Sequence, residues 1–181
     1  INPNARVTRE FTGARWCVGP VYFRDLDLLL WSDIPTNRIM RLAGDQAGVY
    51  RYPAGYTNGH TRDREGRLVS CEHGGRRISR TEVDGTVTTL VDRYEGRRLN
   101  SPNEVVVRSD GTIWFTDPSY GILTDYEGDR AEPEYGGCHV FRFDPRDGRL
   151  HVAADDFVKP NGLAFSPDER HLYVADTGAT H

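Results

Sequence analysis

The sequence lacks the features that mark several large classes of protein. It has no lysine or arginine stripe: 23 basic residues are scattered among 27 acidic ones, for a net charge of −4. That excludes an electrostatic nucleic-acid face. No apolar run approaches the ~18 residues of a membrane span, and no segment reads as a secretory signal. The three cysteines, Cys17, Cys71 and Cys138, are an odd set without Cys-x-x-Cys spacing. They read as free, buried thiols and point to a reducing, cytoplasmic compartment. No Ser-His-Asp set, phosphate loop or Cys/His metal box is present, and no convincing helical segment either. The chain opens with Ile1 rather than Met, so a processed, trimmed or excerpted N-terminus is expected.

What is present is turns and short strands, and they repeat. Nineteen glycines and ten prolines punctuate the 181 residues, enough chain for one domain with a real core. Four segments end an apolar strand in an acid: "FRDLDLLLWSD" at Asp33, "RDREGRLVSCE" at Glu72, "RSDGTIWFTD" at Asp117 and "SPDERHLYVAD" at Asp176. Before each lies another short strand: "GPVYF", "NGHTRD", "PNEVVV" and "PNGLAF". After the first three acids come two more, such as "NRIMRL" and "GVYRY". Val, Ile, Leu, Tyr and Trp fill these runs, and turn residues separate them.

A four-strand antiparallel unit recurring every ~40–45 residues is the signature of a β-propeller blade. The reading is an all-β fold. Residues 1–15 are a lead-in, and the blades cover approximately 16–57, 58–100, 101–159 (enlarged by an insert at 120–136) and an incomplete 160–181. Propellers close as rings of about four to eight blades, since an open ring leaves strand edges unpaired. The chain is therefore expected to be the N-terminal part of a longer ring.

The first strand of each blade lines the central channel, so the starts of these strands converge on one mouth. Aligning the copies places Val18, Asn58, Asn103 and Asn161 at equivalent positions there. The acids at the ends of the second strands return to the same mouth, further from the axis.

The segments "GPVYF…LLLWSDIPTNRIMRL", "NGHTRDREGRLVSCEHGGRR", "LNSPNEVVVRSDGTIWFTDPSYGI" and "VKPNGLAFSPDERHLYVADTG" resemble the gluconolactonase, regucalcin (SMP-30) and luciferin-regenerating-enzyme family, from about Trp16 to the C-terminus. The resemblance implies a six-bladed propeller, of which this chain would carry about three and a half blades. It also implies a divalent cation at the channel mouth, commonly Ca²⁺, with Zn²⁺, Mn²⁺ or Mg²⁺ as alternatives, and hydrolysis of sugar lactones or related esters. The family holds its ion with a Glu, two Asn and an Asp. Asn103 and Asn161 match the two Asn. The Glu position, directly before Gly-Pro, is Val18 here, and the Asp, which also serves as the catalytic base, would lie beyond residue 181.

Losing the Glu removes about half the negative charge of that set, and calcium affinity rises with carboxylate count. Glu104 cannot substitute, because successive strand residues face opposite sides. The other donors open to the site are backbone carbonyls, water or an acid from the missing blades.

Each candidate also has a structural reading. Asn161-Gly162 is turn chemistry in its own right; Asn103 lacks the following glycine. Asn58 has no ligand counterpart in the family and reads as a substrate contact or a turn. His60, two residues on, reads as a buried, hydrogen-bonded histidine or a substrate contact. Ser101 and Arg98 are candidates to touch a polar substrate. Asp33, Glu72, Asp117 and Asp176 read as acceptors for turn amides, behind the site. Glu72 and His73 are adjacent and face opposite ways. Asp125, Glu127 and Asp129 mimic a calcium-loop spacing without the rest of that motif and read as a solvated insert. A propeller that has lost catalysis and serves as a binding or scaffold module remains open, as does a strictosidine-synthase-like branch.

Overall fold

A computed structural model describes residues 6–178; the first residues of the lead-in and the end of the last blade lie outside it. The described residues form three four-stranded antiparallel sheets and two two-stranded ones. The first contains β1 (Cys17–Phe23), β2 (Leu28–Asp33), β3 (Arg38–Ala43) and β4 (Gln46–Arg51). The second contains β5 (Thr57–Arg62), β6 (Leu68–Glu72), β7 (Arg77–Thr81) and β8 (Val87–Val91). A small ribbon, β9 (Arg93–Tyr94) and β10 (Arg97–Arg98), leads to the third. That sheet contains β11 (Val105–Val107), β12 (Ile113–Asp117), β13 (His139–Asp144) and β14 (Arg149–Ala154). The last pair is β15 (Pro160–Phe165) and β16 (Leu172–Asp176).

Strand order follows chain order in every sheet, and the first strands of successive sheets lie beside one another. This is the radial arrangement of propeller blades. The hairpins close on Asx turns: Asp63, Asp110 and Asp168 each accept the amide two residues on, and the glycines at 66 and 111 take positive φ.

The core lies between blades rather than within one. Phe23, Leu30 and Ile39 of the first sheet pack with Ala54 of the β4–β5 connection and Leu68 of the second sheet. Val69, Cys71 and Ile78 of the second pack with Val105, Phe115, Phe141 and Phe143 of the third. Alternation along the inner strands therefore fills both faces, and β2 and β6 are buried along most of their length.

Two expectations are corrected. A single helical turn, α1 (Tyr120–Leu123), stands in the long β12–β13 connection. Ile122 anchors it at 1 % exposure, and one turn is too short to leave a helical period in the sequence. The cysteines are free, but only Cys71 is fully buried; Cys17 is exposed because it opens β1 at the face of the first blade.

Candidate functional site

The first strands are not regular. β1 shifts register between Val18 and Val21, β5 between Thr57 and His60, and β15 between Pro160 and Leu163. Bulges re-aim side chains, and here they carry Val18-Gly19, Asn58-Gly59 and Asn161-Gly162. The glycines allow the blades to approach: a Cβ on Gly19 would lie 2.2 Å from the Asn58 carbonyl oxygen, and one on Gly59 would lie 2.6 Å from that of Asn103.

Each of the three asparagine carbonyls is held by the preceding blade. Ser32 Oγ donates to the Asn58 carbonyl at 2.8 Å, Gly59 N to that of Asn103 at 2.8 Å, and Thr116 Oγ1 to that of Asn161 at 2.7 Å. With their backbones fixed, Val18, Asn58, Asn103 and Asn161 line one cavity of about 280 Å³, joined by Trp16, Ile34, Tyr120, Glu127 and Thr177.

Asn58 is oriented further. Its Nδ2 lies 3.2 Å from His73 Nε2, and His73 Nδ1 lies 2.9 Å from the Glu127 carbonyl oxygen. A carbonyl only accepts, so Nδ1 carries the proton and Nε2 accepts from Asn58. Burial pushes the His73 pKa down to about 4, which keeps this neutral tautomer. The side-chain amides of Asn103 and Asn161 have no hydrogen-bond partner among the described residues, although Asn103 is only 6 % exposed. Two unpartnered amides facing one cavity are suitable oxygen donors for a hard cation. Among the described residues no group of three His, Cys, Asp or Glu is placed to hold a metal, so any such site would be built mainly from amide oxygens.

The other sequence candidates lie outside this cavity. His60 is buried between Ser32 and Ser70, 2.8 Å from each hydroxyl, and burial, with a smaller effect from Arg51, lowers its pKa to about 3. Ser101 Oγ donates to the Pro118 carbonyl at 2.6 Å and accepts from Gly121 N at 2.9 Å. Arg98 reaches the Gly75 carbonyl at 3.0 Å.

The acids latch the blades. Asp33 accepts from Arg15 N and Trp16 N, Asp176 from Val158 N and Lys159 N, and Asp117 from Asn100 N and the Tyr135 hydroxyl. Glu72 instead pairs with Arg77 and Ser79. In the first, third and fourth blades the end of the second strand therefore holds the segment that enters the first. Glu104 leans on Gly59 of the neighbouring blade: a Cβ there would meet its Oε1 at 2.3 Å. Burial raises the Glu104 pKa to about 7.

Sequence reasoning missed two residues at the mouth. Glu127 lines the cavity although its insert reads as solvated, and His73 holds Asn58. Their insert-to-blade contact has no counterpart in the repeat, so no periodic signal could reveal it.

A bladed β-propeller with a cavity of mixed apolar and amide lining at the starts of its first strands is the class defined by these features. The chain belongs to the SMP-30/Gluconolactonase/LRE-like family, whose profile matches residues 16–181. It is 37 % identical over 179 residues to a gluconolactonase of Zymomonas mobilis, covering 90 % of this chain and 49 % of the relative. A solved gluconolactonase structure from Xanthomonas campestris superposes with a TM-score of 0.88 at 44 % identity, covering 93 % of this chain and 57 % of that one. The calcium-binding protein regucalcin from Agrobacterium tumefaciens superposes at 0.68 with 17 % identity, over 93 % of this chain and 52 % of that one, a likeness of fold alone. The chain spans about half the length of the curated relatives it matches. Among the described residues no helix is long and apolar enough to cross a membrane.

Proposed function

We propose that the protein carrying this chain is a divalent-cation-dependent hydrolase of a sugar lactone or a related ester. The observation that carries this is the convergence of Asn58, Asn103 and Asn161 on one cavity, two of them with amides that have no partner among the described residues. Similarity to gluconolactonases supports the lactone as substrate class. Asn103 and Asn161 are the residues that would hold the cation, with Ca²⁺ first and Zn²⁺, Mn²⁺ or Mg²⁺ as alternatives. Bound there, a cation would polarise the lactone carbonyl as a Lewis acid.

The chain's own residues do the rest of the positioning. His73 turns the Asn58 amide so that its oxygen is available to a substrate hydroxyl. Trp16 and Tyr120, at the rim of the cavity, offer flat apolar faces to a sugar ring. No general base is assigned to these residues.

The test is hydrolysis of a panel of aldonolactones by the full chain, with and without a chelator. Chelator-sensitive ring opening supports the reading; absence of both cation binding and lactone opening would sink it. One observation favours a second reading, a propeller kept only for binding: Val18 presents an apolar side chain to the cavity. Ligand binding without turnover would select it.

A further inference from the structure

Resting on the cation-dependent reading, we propose that Glu127 supplies the anionic ligand of this mouth, reaching in from the β12–β13 connection to do what Val18 cannot. Three observations carry it.

First, among the described residues, Glu127 is the one carboxylate that lines the cavity. Among the described residues, its side chain makes no hydrogen bond or ion pair. A half-buried, unpaired carboxylate beside unpartnered amides is an arrangement that a cation resolves.

Second, its position is built rather than incidental. His73 Nδ1 donates to the Glu127 carbonyl at 2.9 Å. Beside it, a Cβ on Gly128 would lie 2.2 Å from the Gly121 carbonyl oxygen, and one on Gly121 would lie 2.3 Å from His73 Cγ. The connection thus touches down on the His73 ring through two glycines, and Glu127 is the residue at that touchdown. Its neighbours Asp125 and Asp129 are exposed.

Third, the partner donors are in place. Asn103 is 6 % exposed, lines the same cavity and has no side-chain partner among the described residues. Asn161, on the adjacent fourth blade, lines the same cavity. Two neutral amides and one carboxylate make a weakly charged oxygen set, completed by water or substrate.

Calorimetric titration of the full chain with Ca²⁺, alongside Glu127→Gln, Glu127→Asp, Asn103→Ala and the exposed control Asp129→Asn, tests this. The expected result is binding by the parent and by the control, weakened about tenfold or more in Glu127→Gln and less in Glu127→Asp. Adding Val18→Glu to Glu127→Gln should restore affinity, which also guards against a variant that merely folds poorly. Unchanged affinity in Glu127→Gln, with binding lost in Asn103→Ala, would overturn this assignment and leave the cation-dependent reading standing. A parent that binds no Ca²⁺, Zn²⁺, Mn²⁺ or Mg²⁺ would overturn both.

Discussion

The side-chain amide of Asn58 and the imidazole of His73 hold each other in one orientation, with Nδ2 donating to Nε2 across 3.2 Å. The ring's other nitrogen donates to the Glu127 carbonyl, so one buried histidine ties the second blade's mouth residue to the third blade's insert. His73→Phe keeps an aromatic volume and removes both bonds. It should cost about 1–3 kcal/mol for each buried group left unpaired, read by urea unfolding. It should also weaken cation binding about tenfold by releasing Glu127. Lost stability with unchanged affinity would reduce His73 to a purely structural residue.

Val18 lines the cavity from the bulge of β1. A carboxylate there would line the same cavity as Asn103 and Asn161. Val18→Glu should raise Ca²⁺ affinity at least about tenfold, because affinity follows the carboxylate count of the set. Titration calorimetry at fixed ionic strength reads this directly. No gain would mean that the mouth has been rebuilt for a different ligand.

The blades were legible because each is a run of alternating strands closed by Asp and Gly turns, and the four copies keep one order. The equivalence of Val18, Asn58, Asn103 and Asn161 followed from that order, and these four do line one cavity. Residues off the repeat were not legible. Ser101 looks like a free hydroxyl beside Asn103 in sequence, yet both of its bonds go to the connection after β12. Glu127 sits in a segment with no period at all. Its position is set by Gly121 and Gly128 packing on His73, a contact between residues about 50 apart that no local pattern encodes.

Acid should unfold the protein partly through His60. Its pKa falls from 6.5 to about 3 on folding because the ring is buried, with Arg51 adding to the effect. The unfolded chain therefore binds a proton that the folded chain refuses. Stability from this residue is fully present above pH 6.5 and is lost as pH falls toward 3. Its slope within that window is at most about 1.4 kcal/mol per pH unit. His60→Gln should flatten the urea-unfolding profile by that slope relative to the parent, whatever the other groups contribute. Parallel profiles would show that the ring is charged, or solvated, in the folded state.

Gly59 makes the contact that brings the second and third blades together at the mouth. Gly59 does not take positive φ, so conformational freedom is not why glycine stands there. Space is the reason: a Cβ would lie 2.3 Å from Glu104 Oε1, 2.6 Å from the Asn103 carbonyl oxygen and 2.8 Å from Glu104 Cα. Two of those three atoms are backbone, so a rotamer change cannot relieve the clash. β5 and β11 must separate, stretching the 2.8 Å bond from Gly59 N to the Asn103 carbonyl. Gly59→Ala should therefore cost about 1–3 kcal/mol, as overpacking does. Gly136→Ala, where a Cβ meets nothing within 4 Å, should be neutral or slightly stabilising. Because Asn103 moves with the strand, Gly59→Ala should also lower cation affinity in the fraction that stays folded, measured well below the unfolding midpoint. If it destabilises the protein with full affinity kept, β5 and β11 separate without displacing the Asn103 amide, and the mouth tolerates more movement between blades than the short carbonyl bonds imply.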